Sequence, residues 1–334
     1  MRGTPTGIAA ALAALAAAAL LAACGEKKED LGAPEAQPFE LALDFYVNPD
    51  HAGIFTALDR GYFAKAGLDV RPRVPSDPSA PIRQVAAGRA DLAISYAPEV
   101  LLAHEQGLGV VAVAALVDEP LTSLISLPSA GIEAPADLRG KTVATAGIPY
   151  QTDYLETILA KAGVATDDVK NVSVGFNLLP ALLGGQADAI LGGFRNVEGV
   201  DLAQRGEAPR VVPVDQLGVP RYDELVLVAS SDAVADEPET LRLFLAALAK
   251  GTADAVADPG AATASVLESG EGLDPALTRA EVDATLPLLA ASKDERFGEM
   301  NGAEWELFAS WMAAAQLIGE VPNAGEVLTN ELLP

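Results

Sequence analysis

Cysteine occurs once in this 334-residue chain, at Cys24, and histidine twice, at His51 and His104. A single thiol excludes an intramolecular disulfide framework, a CxxC redox pair and a thiolate metal cluster. No HExxH or GxSxG sequence occurs, and "GKT" (Gly140–Thr142) has Pro135 where a phosphate-binding loop needs its first glycine. His104 sits near the end of a helical stretch and reads as an exposed or capping residue. Positive charge is also scarce, with 22 Lys and Arg against 47 Asp and Glu and a net charge of -25. Nucleic acid is therefore excluded as a partner, because binding it requires a basic surface that displaces counterions. Aromatic residues make up 5% of the chain and hydrophobic residues 50%, a length and composition that support one large or two medium domains.

One long apolar run is present. "GIAAALAALAAAALLAAC" from Gly7 to Cys24 follows the positive Arg2 and ends in small residues, as secretory signals do. Its length also fits a permanent membrane anchor. Favouring removal, "LAAC" (Leu21–Cys24) resembles a bacterial lipobox, which implies a signal peptide over residues 1–23, cleavage before Cys24 and lipidation of its thiol. The polar stretch that follows, with Pro34 and Pro38 and no apolar period, reads as a flexible tether over residues 24–39. These features place the protein on the extracytoplasmic face of the cell membrane, held by lipid.

From Glu40 onward, short apolar runs alternate with helical patterns. "ELALDFYV" reads as a strand and "IFTALDRGYFAKAG" as one amphipathic helix closed by Gly67; "DLAIS", "GVVAVAALV", "KTVATAG" and "DAILGG" continue the strands. Such alternation predicts an α/β protein with doubly wound, mostly parallel sheets. "ELVLVAS" reads as a returning strand, so one lobe spans 40–127 plus 225–334 and a second, 128–224, is inserted in it. "GRADLAIS" (Gly88–Ser95) and "GQADAILGG" (Gly185–Gly193) echo each other at a helix-to-strand turn in each half. Ligands of open α/β sheets bind beyond the carboxyl ends of the strands, so the loops after the two echoes should face each other across an interdomain cleft.

Candidate site residues cluster in those loops. In "NPDHAGIF" (Asn48–Phe55), Asn48 and Asp50 read as turn or cap residues around Pro49, and His51 as a ligand contact or part of the turn. Small residues Ala52 and Gly53 would let a ligand approach the helix start. In "GGFRNVEG" (Gly192–Gly199), Arg195 and Glu198 either pair with each other at helical i, i+3 spacing or face a ligand. Phe45, Tyr46, Tyr96, Tyr150 and Phe194 fall at strand ends, where a flat heterocycle would stack.

These stretches carry a resemblance. "LDFYVNPDHAGIFTALDRGYFAKAGLDV", "AAGRADLAISY", "LTSLISLPSAGIEAPADLRGKTVATAGIPYQ" and "ADAILGGFRNVEGV" resemble the solute-binding lipoproteins of ABC importers for thiamine-precursor pyrimidines, relatives of the yeast thiamine-pyrimidine synthase. The resemblance implies a type II periplasmic-binding-protein fold and a formylaminopyrimidine or hydroxymethylpyrimidine ligand. It implies Asn48, His51, Tyr96 and Glu198 as contacts, with aromatic rings on the pyrimidine faces. ABC permease and ATPase subunits are the implied partners, and a monomer without metal or cofactor is expected. Phe45 and Val197 stand where the family often has tryptophan, and Arg195 is unusual there, so riboflavin, another heterocycle or a sulfonate stays open. The synthase branch uses a cysteine-rich motif that Cys24 alone cannot form, which favours transport over enzymatic synthesis.

Overall fold

Both halves of the chain repeat one five-stranded arrangement. The computed structural model describes residues 36–289 and 296–334; the expected signal peptide, Cys24 and the expected tether up to Glu35 lie outside the described residues. Strands β1 (Gln37–Ala42), β2 (Leu68–Arg73), β3 (Leu92–Ser95) and β4 (Val110–Val117) come first, with helices α1 (Ala52–Asp59), α2 (Tyr62–Lys65), α3 (Pro81–Ala86) and α4 (Ala97–Glu105) between them. The second series is β5 (Thr122–Ser126), β6 (Thr142–Thr145), α5 (Pro149–Lys161), β7 (Lys170–Ser173), α6 (Leu178–Leu183), β8 (Ala189–Phe194), α7 (Glu198–Gln204) and β9 (Arg210–Pro213). After β10 (Leu225–Ser230) come α8 (Ser231–Asp236), α9 (Pro238–Ala257), α10 (Pro259–Ser269), α11 (Pro275–Leu289), α12 (Gly302–Ala314) and α13 (Ala324–Val327).

Among the described residues the strands form two sheets, ordered β2-β1-β3-β10-β4 and β7-β6-β8-β5-β9. In each, three parallel strands are followed by one that runs antiparallel, β10 in the first and β5 in the second. The two antiparallel strands are the ones that directly follow the chain's passages between sheets. The sheets are thus mixed, with helices packed around them, in two lobes.

The echoed sequences occupy equivalent places and share one task. Asp91, of "GRAD", accepts the Glu40 N–H at 2.6 Å and donates its own N–H to the Glu40 carbonyl at 2.9 Å. Asp188, of "GQAD", accepts the Thr142 N–H at 2.8 Å and donates its N–H to the Thr142 carbonyl at 2.8 Å. Each aspartate thereby fixes one parallel strand against its neighbour, β1 against β3 and β6 against β8, where an alanine would leave a strand N–H unmatched.

Several sequence expectations change. Strand β1 begins at Gln37, inside the expected tether: Phe39 is buried and stacks on Phe244 at 4.9 Å, so burial of that ring draws the polar flank into the sheet. Pro38 is tolerated because Gln37 and Leu43 send their N–H groups toward β2, and β3 pairs only from Leu41, so the missing N–H at residue 38 faces no partner strand. The same strand ends at Ala42, which frees residues 44–47 for the cleft. The helix expected over "IFTALDRGYFAKAG" is two helices, since Gly61 takes φ 66°. Gly53 is not an opening for a ligand. It is buried, and a Cβ there would overlap Thr252 of α9, so its lack of a side chain lets α1 and α9 pack closely. Finally, β5 pairs with β8 and β9, so the first passage between sheets runs through residues 118–121, ahead of the expected boundary after Leu127.

The two passages are joined by Glu224, which is fully buried just before β10. Its carboxylate accepts the N–H groups of Leu121 and Thr122, both at 2.8 Å, and the hydroxyls of Thr122 and Tyr222, both at 2.9 Å. Burial raises its pKa while these four donors pull it back down. Replacing Glu224 with Ala strands buried donors from both passages, so E224A is expected to lower unfolding stability by roughly 3–5 kcal/mol, measured by urea denaturation. A loss below about 1 kcal/mol would show that the passages do not depend on this carboxylate.

Candidate functional site

A cavity of about 220 Å³ lies between the lobes at the carboxyl ends of the parallel strands. Asp44 follows β1 and Tyr96 follows β3, the two strands between which the order of the first sheet reverses. Ala146 follows β6 and Phe194 ends β8, at the matching reversal in the second sheet. Both topological switch points therefore supply walls to one cavity.

The walls combine rings and acids. Phe45, Tyr46, Tyr96, Tyr150 and Phe194 line the cavity, and Tyr96 meets Tyr150 edge-on at 5.7 Å across the lobes. At the mouth, Phe45 and Tyr46 of the first lobe contact Phe176 of the second at 4.7 and 4.5 Å. Asp44, Glu198, Asp201, Asp274 and Glu281 supply carboxyl groups, and none of the described residues lining the cavity is Lys or Arg.

Asp44 is held from two sides. The Tyr96 hydroxyl donates to one of its oxygens at 3.0 Å, and His51 Nε2 lies 2.8 Å from the other. The Asn48 backbone N–H, which can only donate, reaches His51 Nδ1 at 3.3 Å. His51 Nδ1 is thus an acceptor, and the ring proton sits on Nε2, where Asp44 accepts it. His51 is fully buried and does not line the cavity, which corrects the expectation of a ligand contact. The reason is local. Its ring closes a capping box with Asn48 on the short turn Pro49–His51 and therefore points back toward Asp44. Asn48 does line the cavity, but its side-chain oxygen accepts from the Asp50 N–H at 2.8 Å and its amide donates to the Tyr46 carbonyl at 3.1 Å, so the side chain shapes the turn.

Glu198 opens α7, where its charge is favoured by the helix N-terminus. One of its oxygens accepts the Phe194 N–H at 2.7 Å. Burial pushes its pKa up to about 7, opposed by that N–H. Glu281, from α11, is pushed up to about 8, first by burial and then by the charges of Asp201, Glu198 and Asp50. Gly192 matters in this wall: its φ is 113°, and a Cβ would collide with Gln151, whose side-chain oxygen accepts the Ala146 N–H at 2.9 Å.

Arg195 neither pairs with Glu198 nor lines the cavity. It donates to Glu119 at 2.7 Å and to the Pro120 carbonyl at 3.2 Å, because residues 195–197 form a turn ahead of α7 and the expected i, i+3 helical spacing does not exist. Of the expected contacts, the cavity thus gathers Phe45, Asn48, Tyr96, Tyr150, Phe194 and Glu198 and leaves out His51 and Arg195. Asp44, Gln151, Asp201 and Glu281 were not anticipated. The position of Asp44 at the end of a strand was the available signal, but it was read as part of the strand.

The profile of a family described as NMT1/THI5 like matches residues 48–262. A Haemophilus influenzae protein named for thiamine biosynthesis is 38% identical over 289 residues, 86% of this chain and 89% of that protein. The formylaminopyrimidine-binding protein of Halalkalibacterium halodurans is 36% identical over 279 residues, 82% and 84% of the two chains. Among solved structures, the alkanesulfonate-binding protein of Xanthomonas axonopodis pv. citri superposes with a TM-score of 0.69 at 16% identity, covering 89% of this chain and all of that one (100%). That likeness shows the shared two-lobed periplasmic-binding-protein fold.

The raised acids make stability depend on pH. Glu281 holds its proton in the folded protein up to about pH 8, whereas the unfolded chain releases it in the ordinary carboxylate range. Its contribution is therefore fully present below that range and is lost as pH rises through about 8. Thermal unfolding is expected to show Tm falling from pH 5 to pH 8.5, and Glu281→Gln to flatten that fall. An E281Q curve parallel to the wild type over the whole range would refute the assignment.

Proposed function

This chain belongs to the NMT1/THI5-like family, and on that premise we propose that it is an extracytoplasmic solute-binding protein that captures an unphosphorylated aminopyrimidine precursor of thiamine. Formylaminopyrimidine and hydroxymethylpyrimidine are the ligands in view, and capture proceeds by closure of the lobes. The ligand then passes to the permease and ATPase subunits of an ABC importer. Lipidation at Cys24 tethers the protein to the membrane; no helix among the described residues is long and apolar enough to cross one.

The observation that carries this reading is a cavity walled by aromatic rings and carboxyl groups, with no Lys or Arg among its described lining residues. An aminopyrimidine presents two flat faces for stacking and an edge on which an exocyclic amino group adjoins a ring nitrogen. Glu198 fits that edge in either protonation state. As a carboxylate it accepts from the amino group and a protonated ring nitrogen; as a neutral acid it accepts from the amino group and donates to the ring nitrogen. Such charge-assisted bonds contribute about 1.5–3 kcal/mol each. Asp44, held by His51 and Tyr96, offers a second acceptor from the opposite lobe.

The same walls disfavour the other ligands. A sulfonate or phosphate ester requires a cation or a set of free donors, and Arg195 is engaged by Glu119 and Pro120 outside the cavity. Riboflavin is too large for about 220 Å³, which lies below the roughly 300–1,000 Å³ of sites for larger ligands. Against a synthase, the sole cysteine is Cys24, which cannot form the cysteine-rich motif of that branch.

Calorimetry with formylaminopyrimidine, hydroxymethylpyrimidine, thiamine, riboflavin and an alkanesulfonate tests the ligand class. Binding is expected for one or both pyrimidines, and Glu198→Gln should weaken it about ten-fold or more. Binding of the sulfonate alone, or an unchanged affinity in E198Q, would defeat the reading. For the anchor, metabolic labelling with radioactive palmitate is expected to mark the wild-type protein and leave Cys24→Ser unlabelled; equal labelling of both, or of neither, would rule out lipidation at this residue.

A further inference from the structure

Asn196 lies in the turn between β8 and α7, in the motif whose Gly192, Phe194, Val197 and Glu198 line the cavity. It is buried, and its side-chain amide nitrogen donates across the cleft to two residues of the other lobe: Asp50 Oδ1 at 2.7 Å and Thr285 Oγ1 at 2.8 Å. Both amide hydrogens are thereby committed to the opposite lobe. Among the described residues, the remaining oxygens of this pair, Asp50 Oδ2 and Asn196 Oδ1, have no hydrogen-bond partner although both are buried. Asp50, Asn196 and Thr285 all lie outside the wall of the cavity.

We propose that Asp50, Asn196 and Thr285 form a latch between the lobes in which Asp50 is a neutral acid, so that shutting the cleft takes up a proton. Two buried oxygens on a hydrogen-bonded pair of side chains, each without a donor, are costly, and a proton on Asp50 Oδ2 removes the buried charge and gives that oxygen a donor of its own. The surroundings favour the neutral form. Asp44 from the segment after β1, Glu198 from α7, Glu224 beside β10 and Glu281 from α11 all face Asp50, and the neighbouring His51 is turned to Asp44. Burial, and after it the charge of Asp44, pushes Asp50 up to about 8, against the pull of the Asn196 hydrogen bond. Opening the cleft removes the Asn196 partner and admits water, which returns Asp50 to the ordinary carboxylate range, and the proton leaves. Ligand release is therefore favoured by rising pH, although Asp50, Asn196 and Thr285 themselves do not line the cavity.

Asn in place of Asp50 supplies a permanent donor and cannot titrate, so D50N separates the latch from the other acids. Full-length protein is titrated with formylaminopyrimidine by calorimetry at pH 6 and pH 7, in buffers of differing ionisation enthalpy. Wild type is expected to lose affinity more steeply than D50N by about ten-fold over that unit, and D50N to take up roughly one proton fewer on binding. Equal slopes and equal proton counts would overturn the latch. This arm rests on the pyrimidine reading, and an absence of heat with wild type defeats that reading alone. Small-angle scattering of the ligand-free proteins then decides the latch: expansion of wild type between pH 6 and pH 8.5 without expansion of D50N supports it, and identical behaviour overturns it.

Discussion

Two strands that cross between sheets must be held at one place if the lobes are to move as bodies, and the buried carboxylate of Glu224 does this. It takes donors from the passage entering β5 and from the passage entering β10, so the backbone groups that cannot join either sheet are satisfied by one side chain. Asp223, its neighbour, accepts from the Trp305 indole at 2.6 Å and gives its carbonyl to the Ala97 N–H at 3.3 Å, tying the same point to α12 and α4. Everything the cleft does depends on this pivot, because the switch points of the two sheets meet across it.

Around that pivot the protein buries an unusual number of acids for so few cations. Glu99, Glu198, Asp223 and Glu281 all have raised pKa values, and burial is the leading cause in each case. Buried carboxyls persist where each has a donor or a proton. In the cavity this demand becomes selectivity. On the proposed reading, acceptors with no Lys or Arg among the described lining residues favour a ligand that brings N–H groups over one that brings negative charge. The likeness to the alkanesulfonate-binding protein is one of architecture, and one fold hosts many ligands.

His51 shows how a conspicuous residue can act at one remove. Its ring orients Asp44 through a defined tautomer, and Asp44 is the group that faces the cavity. Arg195 shows the reverse: a charge next to the site is neutralised by Glu119 and leaves the cavity acidic. The Arg195 outcome was not visible from spacing, because it depends on Glu119, far away in sequence, and on a turn ahead of α7; that of His51 rests on the direction its ring takes in the Asn48 capping turn.

The alternation of apolar strands and helices determined the α/β class, because strand and helix periodicity are local, and the paired "GRAD" and "GQAD" turns marked equivalent places in the two halves, while the strands their aspartates clamp were set by the fold. Strand ends and helix starts, which are local features, marked the aromatic residues and Glu198 that line the cavity. Tertiary structure alone decided which acids converge. Asp44 lies at the end of β1, Glu281 on α11 and Asp50 on a short turn opposite Asn196, separated by up to 237 positions yet within one charged neighbourhood. Burial and long-range Coulomb interactions set their protonation, and neither has a signature in a one-dimensional pattern.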